Sequence, residues 1–97
     1  MSNYNQICYI TITDSISPAT TNLNILENNL PPNYKVIEWV IFNDALVGDL
    51  EVSLSLDEDT IKIKGGEYFG DKRATKTIYL HNNSLDTIPF RCVVKAL

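Results

Sequence analysis

The sequence is most informative at first through what it lacks. Among 97 residues there are only two cysteines, Cys8 and Cys92, near opposite ends of the chain. Two thiols make no disulfide framework of the kind that staples small secreted domains, and their separation fits no zinc-ligand spacing. They are expected as thiols buried in β-strands, with a bridge between first and last strand as the alternative. The single histidine, His81, would have to serve any Ser-His-Asp or Cys-His arrangement, and no glycine-flanked serine accompanies it. Four glycines form neither a P-loop nor a dinucleotide fingerprint, since Gly65-Gly66 and Gly70 lack the helix that would make them a phosphate cradle. Eight basic residues stand against twelve acidic ones, for a net charge of -4. The cations are scattered, which excludes a phosphate-tracking nucleic-acid face and disfavours anionic membranes. No apolar run has the length to cross a bilayer. The start, Met1 to Gln6, has neither the basic nor the apolar region of an export leader, so synthesis in a cytoplasm without a cleaved leader is expected.

The chain that remains is one domain, residues 6–97, preceded by a short polar arm, Met1–Asn5, that is frayed unless a partner orders it. Its centre is Tyr34–Phe42, the densest apolar run, with the only tryptophan. Nearly every residue there is β-branched or aromatic, which reads as a central strand covered on both faces. Ile7–Thr13 alternates, with Cys8, Ile10 and Ile12 on one face. Asn22–Leu26 alternates more weakly, with Leu23 and Ile25 inward; a helical turn over Leu23–Leu30 competes but is opposed by its asparagines and by Pro31-Pro32. Leu50–Leu56 puts Leu50, Val52, Leu54 and Leu56 inward, and Thr60–Lys64 returns with Ile61 and Ile63 inward. Joined by the charged turn Asp57–Asp59, these two segments predict a β-hairpin. Gly65–Ala74 reads as a loop. Thr75–His81, with Ile78 and Leu80 on one face, and Phe90–Val94, with Phe90, Cys92 and Val94 on one face, complete about seven strands. Short strands at regular spacing with almost no helical periodicity predict an all-β, antiparallel two-sheet sandwich, with a compact barrel as the alternative.

Few residues offer chemistry. Asp57, Glu58 and Asp59, with Asp44, Asp49 and Glu51 nearby, would supply oxygen ligands for calcium or a carboxylate pair for glycoside hydrolysis, but they match no calcium-loop motif and read as a solvated turn. His81 reads as structural. Asn82-Asn83-Ser84 matches the glycosylation pattern without the export that would give it meaning. Neither a cofactor nor a catalytic group is expected, and the chain does not read as an enzyme. Tyr68 and Phe69 differ from the rest. Adjacent aromatics in a glycine-flanked loop cannot both enter a core by strand alternation, so one of them is exposed or covered by a partner. The bland alternative has Phe69 capping the sandwich and Tyr68 flat on the surface. Tyr4, in the polar arm, joins them as a candidate contact residue. Trp39 reads as core. Val36, Val40 and Phe42, on the other face of the central strand, need a cover, and that face is the second place to look for a partner.

Thr75–Val94 runs from an alternating strand through an Asn/Ser turn to a Pro-aromatic pair. It resembles the last two strands of immunoglobulin-like modules, which implies an immunoglobulin-like sandwich. The order Cys8, Trp39, Cys92 is similar to that of antibody domains, but the spacing departs from theirs and no disulfide is carried over. In size, leaderless and polar start, and Asn-, Ile- and Lys-rich composition, the chain resembles small virion proteins of tailed bacteriophages, the head-decoration and head-fibre type. That resemblance implies a non-enzymatic structural protein of the virion, acting through contacts with itself or with a capsid or scaffold protein as a homo-oligomer, and not with nucleic acid or membrane. A carbohydrate-binding or adhesive module and a small acidic inhibitor of a host enzyme are the alternatives.

Overall fold

Eight strands carry the apolar alternation in the computed structural model, which describes residues 7–97. They are β1 (Cys8–Ile16), β2 (Thr20–Asn24), β3 (Val36–Asn43), β4 (Leu50–Ser53), β5 (Ile61–Ile63), β6 (Tyr68–Asp71), β7 (Tyr79–Asn82) and β8 (Ile88–Ala96). The expected arm Met1–Asn5, and Tyr4 with it, lies outside the described residues. The strands form two four-stranded sheets, β1-β8-β3-β6 and β2-β7-β4-β5, with every neighbouring pair antiparallel. The two-sheet antiparallel sandwich expected from the sequence is present, with eight strands in place of about seven.

Its connectivity is not the immunoglobulin order. Every connection except the β4–β5 hairpin crosses from one sheet to the other, and the first and last strands lie side by side. That is the double Greek key of a jelly roll; in the immunoglobulin order the first strand shares a sheet with the second. The segments that suggested an immunoglobulin-like ending, β7 and β8, belong to opposite sheets.

Between the sheets lies one apolar core. Ile12 and Ile16 of β1, Trp39 and Ile41 of β3, and Phe90, Cys92 and Val94 of β8 meet Leu50 and Val52 of β4, Ile63 of β5, and Ile78 and Leu80 at β7. Except for Ile16, which lies beyond the alternation read over Ile7–Thr13 because β1 runs three residues further, these are the inward positions that the alternation assigned. At roughly 25 cal/mol per Å² of apolar surface removed from water, such side chains hold the sheets together.

The departures have local causes. β6 lies inside the expected loop Gly65–Ala74; four residues with a central glycine show no alternation, and pairing with β3 makes them a strand. Leu23, expected inward, is exposed. Asn22 adopts a positive φ of 57° at a register shift between Thr20 and Leu23, which breaks the alternation. The chain then turns over Ile25–Asn29, with Ile25 and Leu26 buried. Leu56 is exposed because β4 stops at Ser53, and Ile61 remains at the rim of edge strand β5. Val36, expected beside Val40 and Phe42, is fully buried because the chain bulges between Val36 and Glu38. The two thiols cannot bridge. Cys8 lies opposite Ala96 and Cys92 opposite Ile12, about 13 Å apart along the ladder at the usual rise per residue, and both are free.

Candidate interaction surface

β3 sits between β8 and β6, but its cover is one-sided. Trp39, Ile41 and Asn43 are buried against the second sheet, while Val40 and Phe42 are only half-buried on the solvent face. The ladder register places that face in rows running across the sheet. One row reads Thr11, Val93, Val40, Gly70; the next reads Thr13, Arg91, Phe42, Tyr68. A row across four strands spans about 14 Å.

Hydrogen-bond direction explains how the second row is built. Asp44 N–H donates to the Pro89 carbonyl at 2.9 Å, while Asn43 exchanges its backbone bonds with Glu67 and Gly66 on the β6 side. From Glu38 to Asn43, beyond the bulge, even-numbered β3 residues therefore bond to β8 and odd-numbered ones to β6. Phe42 and Tyr68 form a non-hydrogen-bonded pair, the geometry with the closest side chains, and their rings lie 5.5 Å apart. Arg91, on the other side, lays its guanidinium 4.4 Å over the Phe42 ring and donates to both Asp44 carboxylate oxygens at 2.7 and 3.0 Å. Those hydrogen bonds hold the Asp44 carboxyl below its usual range, against an opposing push from desolvation. Stacked and bidentate groups of this kind are pre-set, so little rotamer freedom remains to be lost on binding. Val40 and Gly70 are likewise a close pair. A Cβ on Gly70 would sit 2.5 Å from the Trp39 carbonyl and 3.0 Å from Val40 Cα. The missing side chain leaves an open groove beside Val40 that Tyr68 walls on one side.

Tyr68 and Phe69 thus point to opposite faces of β6. Tyr68 is 69 % exposed; Phe69 turns inward, packing on the core with its ring 5.9 Å from that of Trp39. Of Tyr68's neighbours in the row, Phe42 was marked by the sequence as part of the strand face needing a cover, and Arg91 was not singled out. Only the cross-strand register brings Arg91 to Phe42, 49 positions away.

A second feature lies at the end of the sandwich where β1–β2, β3–β4, β5–β6 and β7–β8 are joined. Two asparagines, each closing a strand, hold these loops. Asn43 accepts from Ala45 N–H and donates to the Gly48 and Ile63 carbonyls. Asn82 accepts from Ser84 N–H and Oγ–H and donates to the carbonyls of Ile16, Ser17 and Asp86. In both, the side chain makes an Asx turn locally and reaches a different segment with its amide. Both are buried, so Asn82 is no exposed glycosylation acceptor. The loops they fix carry Leu46 at 98 % and Leu85 at 94 % exposure.

The remaining candidates divide. His81 Nδ1 accepts from Asn22 N–H at 3.1 Å, so the neutral ring carries its proton on Nε2, which faces Ser53 Oγ at 3.3 Å. The ring donates to that hydroxyl and cannot take its proton; it staples the β2 bulge to β7 and β4. The carboxylates do not converge. Glu58 is held by Arg73, Asp49 faces Lys62, and Glu51 accepts from Thr60 and Asn83. Among the described residues no group of His, Cys, Asp or Glu gathers to hold a metal ion. Burial pushes the Cys92 thiol up to about 12, keeping it protonated. Neither protein-family models nor curated proteins give a match to this chain.

Proposed function

We propose that the protein is a non-enzymatic structural component that works through protein–protein contacts, and that it belongs to the virion of a tailed bacteriophage as a capsid-decoration or head-fibre protein. The observation that carries the reading is the solvent face of β3. Its row Arg91–Phe42–Tyr68 stands beside the half-buried Val40 and Val93, and tyrosine and arginine held in place are the side chains that anchor interfaces. The double Greek key sandwich is also an architecture of viral capsid domains, which supports the reading as an analogy of fold. Sedimentation with purified capsids, for the native chain and for Tyr68→Ala, tests it. Capsid binding that the variant weakens about tenfold or more, the cost of losing one interface anchor, is the expected result. A strictly monomeric chain that binds no capsid or partner protein overturns it.

The exposed Tyr68 ring favours one competing reading, a carbohydrate-binding module, since lectin domains share this architecture. A glycan array with the Tyr68→Ala control separates the two. Sugar binding that depends on Tyr68 replaces the structural reading, and an empty array removes the sugar reading.

A further inference from the structure

The sheets have four edges, and three of them are blunted. β6 has four residues with Gly70 in its middle, followed by Asp71, Lys72 and Arg73. β5 has three, with Lys62 inside and Lys64 directly after. β2 is broken by its register shift and by the left-handed Asn22. Shortness, lysines and bulges are the devices by which sheet edges avoid pairing with other chains. The fourth edge has none of them. β1 runs nine residues, Cys-Tyr-Ile-Thr-Ile-Thr-Asp-Ser-Ile, in unbroken register from Cys8↔Ala96 to Ile16↔Ile88. It contains no lysine, arginine, proline or glycine, and its one charge is Asp14.

The direction of its free backbone groups follows from the ladder. The Pro89 carbonyl is turned to Asp44, and Leu97 exchanges bonds with Lys35, so the odd-numbered residues of β8 face β3. The even-numbered ones face β1, and they pair with Cys8, Ile10, Ile12, Asp14 and Ile16. Tyr9, Thr11, Thr13 and Ser15 therefore turn their N–H and C=O groups outward. Ser15 N–H is already taken by Asp14 Oδ1 at 2.8 Å. Among the described residues of this edge, those with both backbone groups open are Tyr9, Thr11 and Thr13.

We propose that this edge pairs antiparallel with the β1 edge of a second copy, across a two-fold axis at Thr11. The proposal deepens the structural-protein reading and rests on it. Only one symmetric register engages all three open residues. Thr11 faces its own counterpart, Tyr9 faces the partner's Thr13, and about six backbone hydrogen bonds form. The same register sets Ile10 against Ile12 of the partner subunit. It also sets Asp14 against Cys8 of the partner subunit, so two chains that each carry a net charge of -4 meet with no carboxylate opposite another. The two sheets then run on as one, and each copy's Phe42–Tyr68 row lies on the same side of it.

Two measurements test this. Analytical ultracentrifugation over a concentration series is expected to show twice the 10.9 kDa chain mass for the native protein. Thr11→Lys places two ammonium groups face to face at the axis and is expected to give single chains with unchanged circular dichroism. Hydrogen exchange resolved by residue is the second. In the associated state Tyr9, Thr11 and Thr13 amides are protected and lose that protection on dilution, while Ile10 and Ile12, bonded to β8, keep theirs. Native protein that stays single at millimolar concentration, or fast exchange at Thr11 in an associated sample, overturns the pairing. If Thr11→Lys associates like the native chain, the β1 edge is the wrong surface, although association as such stands. Capsid binding by a chain that never self-associates would leave the structural-protein reading standing and remove this one.

Discussion

Replacing Asn82 by alanine removes the side chain that ties β1, the β1–β2 loop and the β7–β8 loop together. Asn82 is fully buried, and its amide nitrogen donates to Asp86 O at 2.7 Å, Ile16 O at 2.9 Å and Ser17 O at 3.2 Å. An amide has two hydrogens, so the two longer bonds share one. In the alanine variant Ser17, which is exposed, turns to water, and Ser84 Oγ still reaches Asp86 O at 3.0 Å. Ile16 O keeps only its ladder bond to Ile88, and part of the demand at Asp86 O and Ser84 N–H stays unmet. At about 1–3 kcal/mol for each buried group left unpaired, the loss sums to about 2–4 kcal/mol. That is a large share of a typical domain stability of about 5–15 kcal/mol, but it leaves a folded protein. In a chain of this size it lowers Tm by about 10–30 °C. Urea unfolding followed by circular dichroism measures it directly, with Asn83→Ala as control. Asn83 is exposed and, among the described residues, its side chain bonds Glu51 alone, so its loss is expected within about 0.5 kcal/mol of native. Asn82→Asp sharpens the test. It keeps the shape but turns a carboxylate toward carbonyl oxygens, which raises the folded-state pKa of the new group. Its stability is then greatest below the unfolded pKa and falls as pH rises through the raised one. If Asn82→Ala matches Asn83→Ala, or Asn82→Asp shows no loss with rising pH, the clamp does not hold this end.

Three further outcomes are expected. Gly70→Ala drives a methyl into the Trp39 carbonyl and so pushes β6 off β3, at a cost of about 1–3 kcal/mol read in the same unfolding assay; a neutral result would show that β6 gives way freely. Cys8 is half-buried and Cys92 fully buried, with its thiol pushed up to about 12. A thiol reagent at neutral pH should therefore label Cys8 first and Cys92 only on unfolding, which mass spectrometry of the peptides reads; early labelling of Cys92 would refute the packing. Asp44 titrates below its usual range because Arg91 hydrogen-bonds it. A carboxyl with a lowered folded pKa stabilises above its unfolded pKa near 4, and the gain fades as pH falls through the folded value. The Tm gap between native and Asp44→Asn should accordingly be open at pH 6 and closed near pH 2, and a gap independent of pH would deny the pair any role.

Much of this was legible residue by residue. The alternation in Leu50–Val52, Ile61–Ile63 and Phe90–Val94 is local, and a period of two fixes which side chains share a face wherever the strand continues. It failed where strands stop or bulge, at Leu56, Leu23 and Val36, because a bulge is set by the neighbouring strand and not by the residues that slip. Tyr68 stood out because two adjacent aromatics cannot share one face. Phe42 was marked only as part of a strand face needing a cover and Arg91 not at all, since nothing in the sequence says they are neighbours.

The sequence by itself determined an all-β sandwich and most of its core positions; it read the Tyr34–Phe42 strand as covered on both faces, whereas the fold covers one. The sequence also marked Asn82 as a turn residue, because short polar side chains bond the backbone two residues ahead. The tertiary structure alone decided the jelly-roll order, the strand made of Tyr68–Asp71, the Arg91–Phe42–Tyr68 row and the unprotected β1 edge. Each of these depends on which strands lie side by side. Turn chemistry and apolar alternation act over a few residues, whereas strand pairing joins residues far apart in the chain, and only the closed core selects among pairings.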